Sequence, residues 1–280
     1  MRTVCEITNK PTGILLISGG TRSLSGQRQT QNFVADLKRR MGRRVPVLVA
    51  HLEAQEPSLK SVLGFVDESG VQDWLCVPLY LFATGYTVLH NPVWIAKFLL
   101  LRRPYLHLRW MPVWGTERQL ISLTAGYIHR LLLDFDETTT SVVLVGGASS
   151  SSKTFQRYRQ VAKRISKWIG IPVKPSILAG VGTSAYDFFS KNSMAPSSRI
   201  FVPYIAFDGL LMEKFRNEIA KVKPVKGQQS LVALPVFAQT ELTSFIYNRI
   251  TSRFYNSSYA PPHNVEDNSA LVHVKRNSVV

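Results

Sequence analysis

Two tandem α/β lobes, each a parallel sheet of flavodoxin or Rossmann type and facing a central cleft, are the architecture this sequence predicts. Continuous apolar runs such as Gly13-Ile14-Leu15-Leu16-Ile17 end in small residues, the mark of strands covered on both faces. Between them lie segments with apolar residues at helical spacing, so strand and helix alternate. The order then repeats: Ser18 matches Gly146, Pro78 matches Pro203 and Pro112 matches Pro235, at offsets of 128, 125 and 123 residues. Three pairs with a slowly shrinking offset imply an internal duplication.

The elements follow in order. After the strand at 13–17 comes a helix over 27–41, with Phe33, Val34, Leu37 and Met41 on one face. A strand at 46–50, a helix at 58–68, a strand around Val77, a helix at 93–101, a strand at 106–111 and a helix at 117–132 complete the first lobe, residues 1–134. The second lobe, 141–255, has strands at 141–145, 173–178, 199–204 and 230–234. Its helices fall at 154–169, 184–190, 210–221 and 241–254. The Ser/Asn/Pro-rich stretch 256–280 reads as a flexible tail. From Leu75 to Ala96 no residue is formally charged, but Pro78, Gly85, His90, Asn91 and Pro92 interrupt any lipid-facing helix. No membrane span is expected.

Composition narrows the chemistry. Two cysteines among 280 residues exclude a disulfide scaffold and a Cys-rich zinc site. Met1 to Lys10 shows no charged-then-apolar leader pattern, which points to a cytoplasmic protein. Lys and Arg number 34 against 18 acids, a net charge of +16 that attracts polyanions or ligands with several carboxylates. Most of these cations fall on predicted helix faces, and no nucleic-acid-binding pattern accompanies them. An acidic small molecule is the expected partner, not nucleic acid.

Three turns meet the carboxyl edge of the first sheet, where open α/β folds bind ligands. Ser18-Gly19-Gly20-Thr21-Arg22 offers backbone N–H groups, a hydroxyl and a guanidinium beside a helix start, which suits an anion. Glycine there also serves a tight turn whatever the function. His51-Leu52-Glu53-Ala54-Gln55-Glu56-Pro57-Ser58 follows the second strand; Glu56, Pro57 and Ser58 suit a helix start, whereas Glu53 has less structural reason. Ala83 to Pro92 follows the third strand and carries Tyr86 and His90. Of six histidines, only His51 and His90 lie near this edge. Gly146-Gly147-Ala148-Ser149-Ser150 is expected to repeat the first turn without its arginine, with Gly147 and Ser149 as further ligand contacts.

This order of strand, Gly-turn with Arg, Leu-Glu-x-x-Glu-Pro-Ser, Val-Pro-Leu-x-Leu and a Gly loop ending in Pro resembles the class II chelatases, the CbiX and SirB sirohydrochlorin chelatases. The likeness runs from Gly13 to Leu132. The second half resembles the C-terminal repeat of long CbiX enzymes through Val145 to Ser150, Ala179-Gly180-Val181 and Val202-Pro203-Tyr204. The resemblance implies chelatase-like lobes and insertion of Co²⁺ or Fe²⁺ into an acidic tetrapyrrole such as sirohydrochlorin. It implies Glu53, Tyr86 and His90 as catalytic residues, Glu53, Glu56 and His90 at the metal, and Ser18 to Arg22 with Gly147 and Ser149 at the ligand. One departure matters: the two family histidines, which ligate metal and take pyrrole protons, fall on Gly19 and Tyr86, and the acid after the second falls on His90. The second repeat has Gly147 and Leu210 at the equivalent places. A non-catalytic tetrapyrrole carrier and an enzyme for another small molecule therefore stand as alternatives.

Overall fold

A computed structural model describes residues 12–82, 106–136, 139–189, 198–222 and 229–255. The first lobe begins with β1 (Thr12–Ser18), α1 (Leu24–Met41), β2 (Val47–His51), α2 (Leu59–Glu68) and β3 (Asp73–Pro78). It closes with β4 (His107–Trp110) and α3 (Arg118–Leu132). The second contains β5 (Thr140–Ser149), α4 (Ser152–Ile169), β6 (Val173–Gly180), β7 (Ser198–Pro203), α5 (Leu210–Lys221), β8 (Ser230–Val232) and α6 (Thr240–Tyr255). The loop expected at 83–92, the helix expected at 93–101 and the tail expected at 256–280 lie outside the described residues.

Both sheets have four parallel strands in matching order, β2-β1-β3-β4 and β6-β5-β7-β8. Ile17 pairs with Pro78 and Val145 with Pro203, so the prolines aligned by sequence occupy the same rung of the two sheets. Neither rung needs the proline N–H at the end of its strand. Each lobe also places an isolated bridge at the same point, His51 with Ser58 and Ile177 with Ser184.

Each central strand is buried on both faces, which explains its unbroken apolar run. Ile14 and Leu16 turn inward and Leu15 and Ile17 outward toward α2, with Trp74 and Val62. In the second lobe Val143 and Val145 pack outward with Phe201, Phe215 and Met212. The inward faces do not form two cores. Residues of α1, α3, α4 and α6 join both sheets in one continuous cluster that includes Phe33, Ile128, Tyr158 and Ile246. Helices thus fill the space between the sheets, and any shared ligand surface is confined to the loops at the strand ends.

Two expectations are corrected. The stretch 184–190 was expected to be a helix; its described part is a single 3₁₀ turn, Ala185–Phe188, capped by Ser184. The second Gly-turn is not a turn at Gly146-Gly147, because β5 continues through Ser149 and pairs Ala148 with Ala179 and Ser149 with Gly180. Gly146 has a packing reason: a Cβ there would stand 2.5 Å from the Tyr158 ring.

Candidate functional site

The first two turns form one surface. The N–H groups of Leu52 and Glu53 donate to the carbonyls of Ser18 (3.0 Å) and Gly19 (3.2 Å), extending the β1–β2 ladder beyond the strands. Thr21 N–H donates to Gln55 Oε1 at 3.3 Å, tying the far ends of both turns. Gly20 permits this closeness. Its φ is +79°, in the left-handed region, and a Cβ would lie 1.8 Å from the Glu53 carbonyl oxygen.

Within this surface the expected residues divide. Ser18 is buried, and its Oγ accepts from the Gly20 N–H at 3.2 Å, so it shapes the turn. Gly19 is exposed, and a Cβ added there meets nothing within 4 Å. Arg22 is exposed, with its guanidinium in no hydrogen bond to a described residue. Glu53 is exposed at the same edge. Glu56 is exposed too, but its Oε2 accepts from the Ser58 N–H at 2.6 Å at the start of α2. Tyr86 and His90 lie outside the described residues. Among the described residues no three His, Cys, Asp or Glu side chains lie close enough together to hold a metal ion.

His51 lies beneath this surface. It is 2% exposed, and its Nδ1 has no hydrogen-bond partner among the described residues. Burial lowers its pKa, while the Glu56 carboxylate pulls the other way. The imidazole is therefore neutral at neutral pH.

The second lobe does not repeat the first lobe's Gly-turn. Gly147 N–H donates to Tyr158 Oη at 3.4 Å, and the Ser149 carbonyl accepts from Val181 N–H at 2.8 Å. Ser149 is buried, and its Oγ accepts from Ser151 N–H at 3.1 Å. The groups expected to meet a ligand at Gly147 and Ser149 are thus engaged with the protein. The physical reason is the longer β5–β6 ladder, which carries the strand past the glycines.

What the second lobe supplies instead is a contact that sequence reasoning missed. The turn after β7 lies against the first turn of α1. Glu213 Oε1 accepts from Ser23 Oγ at 2.5 Å, and the Asp208 carboxylate accepts from Gln29 Nε2 (2.7 Å) and Ser25 Oγ (3.1 Å). Asp208-Gly209 before an apolar helix reads locally as a helix start, and no signal in the sequence says that its carboxylate reaches across lobes. Beyond β4, Tyr204 Oη donates to the Gly115 carbonyl at 3.0 Å, a second buried crossing near the strand ends. Burial raises the Tyr204 phenol well above its usual pKa, so it stays a donor. Two concave surfaces lie away from this edge, one between α1 and α6 and one between α3 and α6.

Residues 13–91 match the family model described as CbiX. The chain is 24% identical over 215 residues to the sirohydrochlorin ferrochelatase of Bacillus subtilis (strain 168), covering 75% of this chain and 80% of the relative. Among solved structures, SirB from Bacillus subtilis with Fe³⁺ superposes with a TM-score of 0.68 at 21% identity, over 88% of this chain and 96% of SirB. The cobalt complex of the sirohydrochlorin chelatase SirB from Bacillus subtilis subspecies spizizenii gives 0.65 at 18%, over 88% and 96%. Both structural likenesses concern the two-lobed fold. No described helix is long and apolar enough to cross a membrane.

Proposed function

We propose, from the premise that this chain is a class II chelatase family member, that it inserts a divalent metal into an acidic tetrapyrrole such as sirohydrochlorin. One observation carries the reading: the Arg22 turn and the Glu53 turn are zipped into a single surface at the carboxyl edge of the first sheet. That surface offers a guanidinium for ring carboxylates beside a carboxylate able to meet a cation. Metal enters as substrate, Co²⁺ or Fe²⁺, and two pyrrole protons must leave as two ring nitrogens take the metal. A base beside the metal is therefore a requirement of the chemistry. Glu53 is assigned that role, with Tyr86 and His90 as the candidates from the loop after β3 and Glu56 as a further metal contact. Ser18, Gly19, Gly20 and Thr21 shape the anion-binding turn that ends in Arg22.

Glu53→Gln removes the base while keeping the shape. Insertion of Co²⁺ or Fe²⁺ should fall at least ~100-fold while sirohydrochlorin binding, read by absorbance titration, stays within about twofold. Unchanged insertion would remove Glu53 from the site.

A second reading, a carrier that binds the macrocycle without turnover, is favoured by one observation. Gly19 stands where the resemblance places an imidazole, and no described cluster of three ligating side chains replaces it. Since a side chain at Gly19 enters open space, Gly19→His should fold normally. In the enzyme it strengthens Co²⁺ binding, followed by calorimetry, by roughly tenfold. A wild-type chain that binds sirohydrochlorin yet inserts neither metal is the carrier.

A further inference from the structure

We infer that Asp208 is a positioning residue: its buried carboxylate clamps the first turn of α1, and with it the Arg22 turn, in fixed register against the second lobe. This rests on the chelatase reading of that edge. Asp208 follows β7, and its side chain is 3% exposed. Within its own lobe it pairs with Arg216 Nη1 at 2.7 Å. Across the lobes its carboxylate accepts from Gln29 Nε2 and Ser25 Oγ, while its own N–H donates to Gln29 Oε1 at 2.8 Å. The Gln29 amide is thus held from both ends, which fixes its orientation. Gly26 completes the clamp, since a Cβ there would lie 2.1 Å from the Asp208 carbonyl oxygen.

Stability alone does not require this arrangement. A buried ion pair contributes less than, or no more than, a well-packed apolar joint of the same volume. Further along α1 the lobes meet through such a joint, with Phe33 stacked on Phe237 at 5.5 Å. One buried hydrogen bond, from Tyr247 Oη to the Phe33 carbonyl at 3.0 Å, accompanies that joint, whereas the bonds of Ser23, Ser25 and Gln29 gather at the end of α1 that adjoins the Arg22 turn. That turn is rigidly coupled to the helix: Ser23 N–H donates to Thr21 Oγ1 at 3.1 Å and Gln27 Nε2 to the Thr21 carbonyl at 2.9 Å. Any sliding of α1 on Asp208 displaces Arg22 relative to the second lobe. Displacements of about 1 Å are enough to change reaction rates by roughly 100-fold.

Two substitutions attack the clamp from opposite sides. Asp208→Asn removes the charge, and Gly26→Ala wedges the lobes apart without deleting a polar group. Steady-state Co²⁺ insertion into sirohydrochlorin should show, in both, kcat/KM for the macrocycle lowered ~10-fold or more, with KM for Co²⁺ unchanged. If Asp208→Asn fails to fold, Gln29→Ala replaces it. Ile250→Val, in the core of α6, controls for lost stability and should leave the kinetic constants unaltered. Wild-type kinetics in both clamp variants, with only thermal stability reduced, overturns the inference. Amide hydrogen exchange of residues 19–26 supplies a readout independent of activity and should accelerate in both variants. A wild-type chain that neither binds sirohydrochlorin nor inserts metal defeats the chelatase reading alone; unchanged exchange defeats the clamp.

Discussion

At the residue scale, the site was legible where local stereochemistry decides. A strand running into Gly19-Gly20 before a helix demands a tight turn, and Gly20 meets that demand with φ +79° against the Glu53 backbone. Gly146 obeyed a different cause. It lies inside β5, and the Tyr158 ring packed across it leaves no room for a Cβ, a tertiary contact that no local pattern announces. Asp208 was hidden for the same reason, since its cross-lobe partners lie 179 and 183 positions away along the chain. His51 gives a pH test. Unfolded, it titrates near the ordinary value of 6.5, and folding lowers that value. Protonation therefore favours the unfolded chain, so the neutral imidazole's stability is fully present above pH ~6.5 and declines as pH falls below it. Urea midpoints of His51→Met should lose less than wild type between about pH 7.5 and 5.5. Equal losses would show that His51 does not titrate in that window.

At the element scale, helix starts were found to within a few residues because their signals are local. The caps Ser23, Ser58, Ser151 and Ser184 each accept a backbone N–H from the turn they begin. Ser23 does more, since the hydroxyl that accepts from Gly26 N–H also donates to Glu213. Ser151→Ala should lose only a cap, about 1 kcal/mol. Ser23→Ala should lose the cap and the inter-lobe bond, roughly 2 kcal/mol in all. Chemical denaturation of the two variants separates the contributions; equal losses would mean that the Glu213 contact adds nothing to stability.

At the scale of the whole molecule, strand and helix alternation predicted a parallel sheet in each lobe, though not the order of its strands. It did not predict that the inner helices make one core. Periodicity tells which face of α1 or α4 is buried, not whose side chains cover it. α3 ends at Leu132 and β5 begins at Thr140, on either side of the stretch expected to join the lobes. A fragment of residues 1–134 would expose the faces of α1 and α3 that meet α4 and α6. Expressed alone, it should bind hydrophobic dyes and aggregate, while the full chain melts in one calorimetric transition. Two separate transitions would show that the shared core does not couple the lobes.

The ladder that carries β5 on to Ser149 gives the molecule a direction that its matching halves would otherwise lack. On the first half Arg22 and Glu53 stand exposed just beyond the strand ends. On the other the ladder runs on past the glycines like a closed hem. The two halves, alike in the order of their strands, thus part company at the rim where their sheets end.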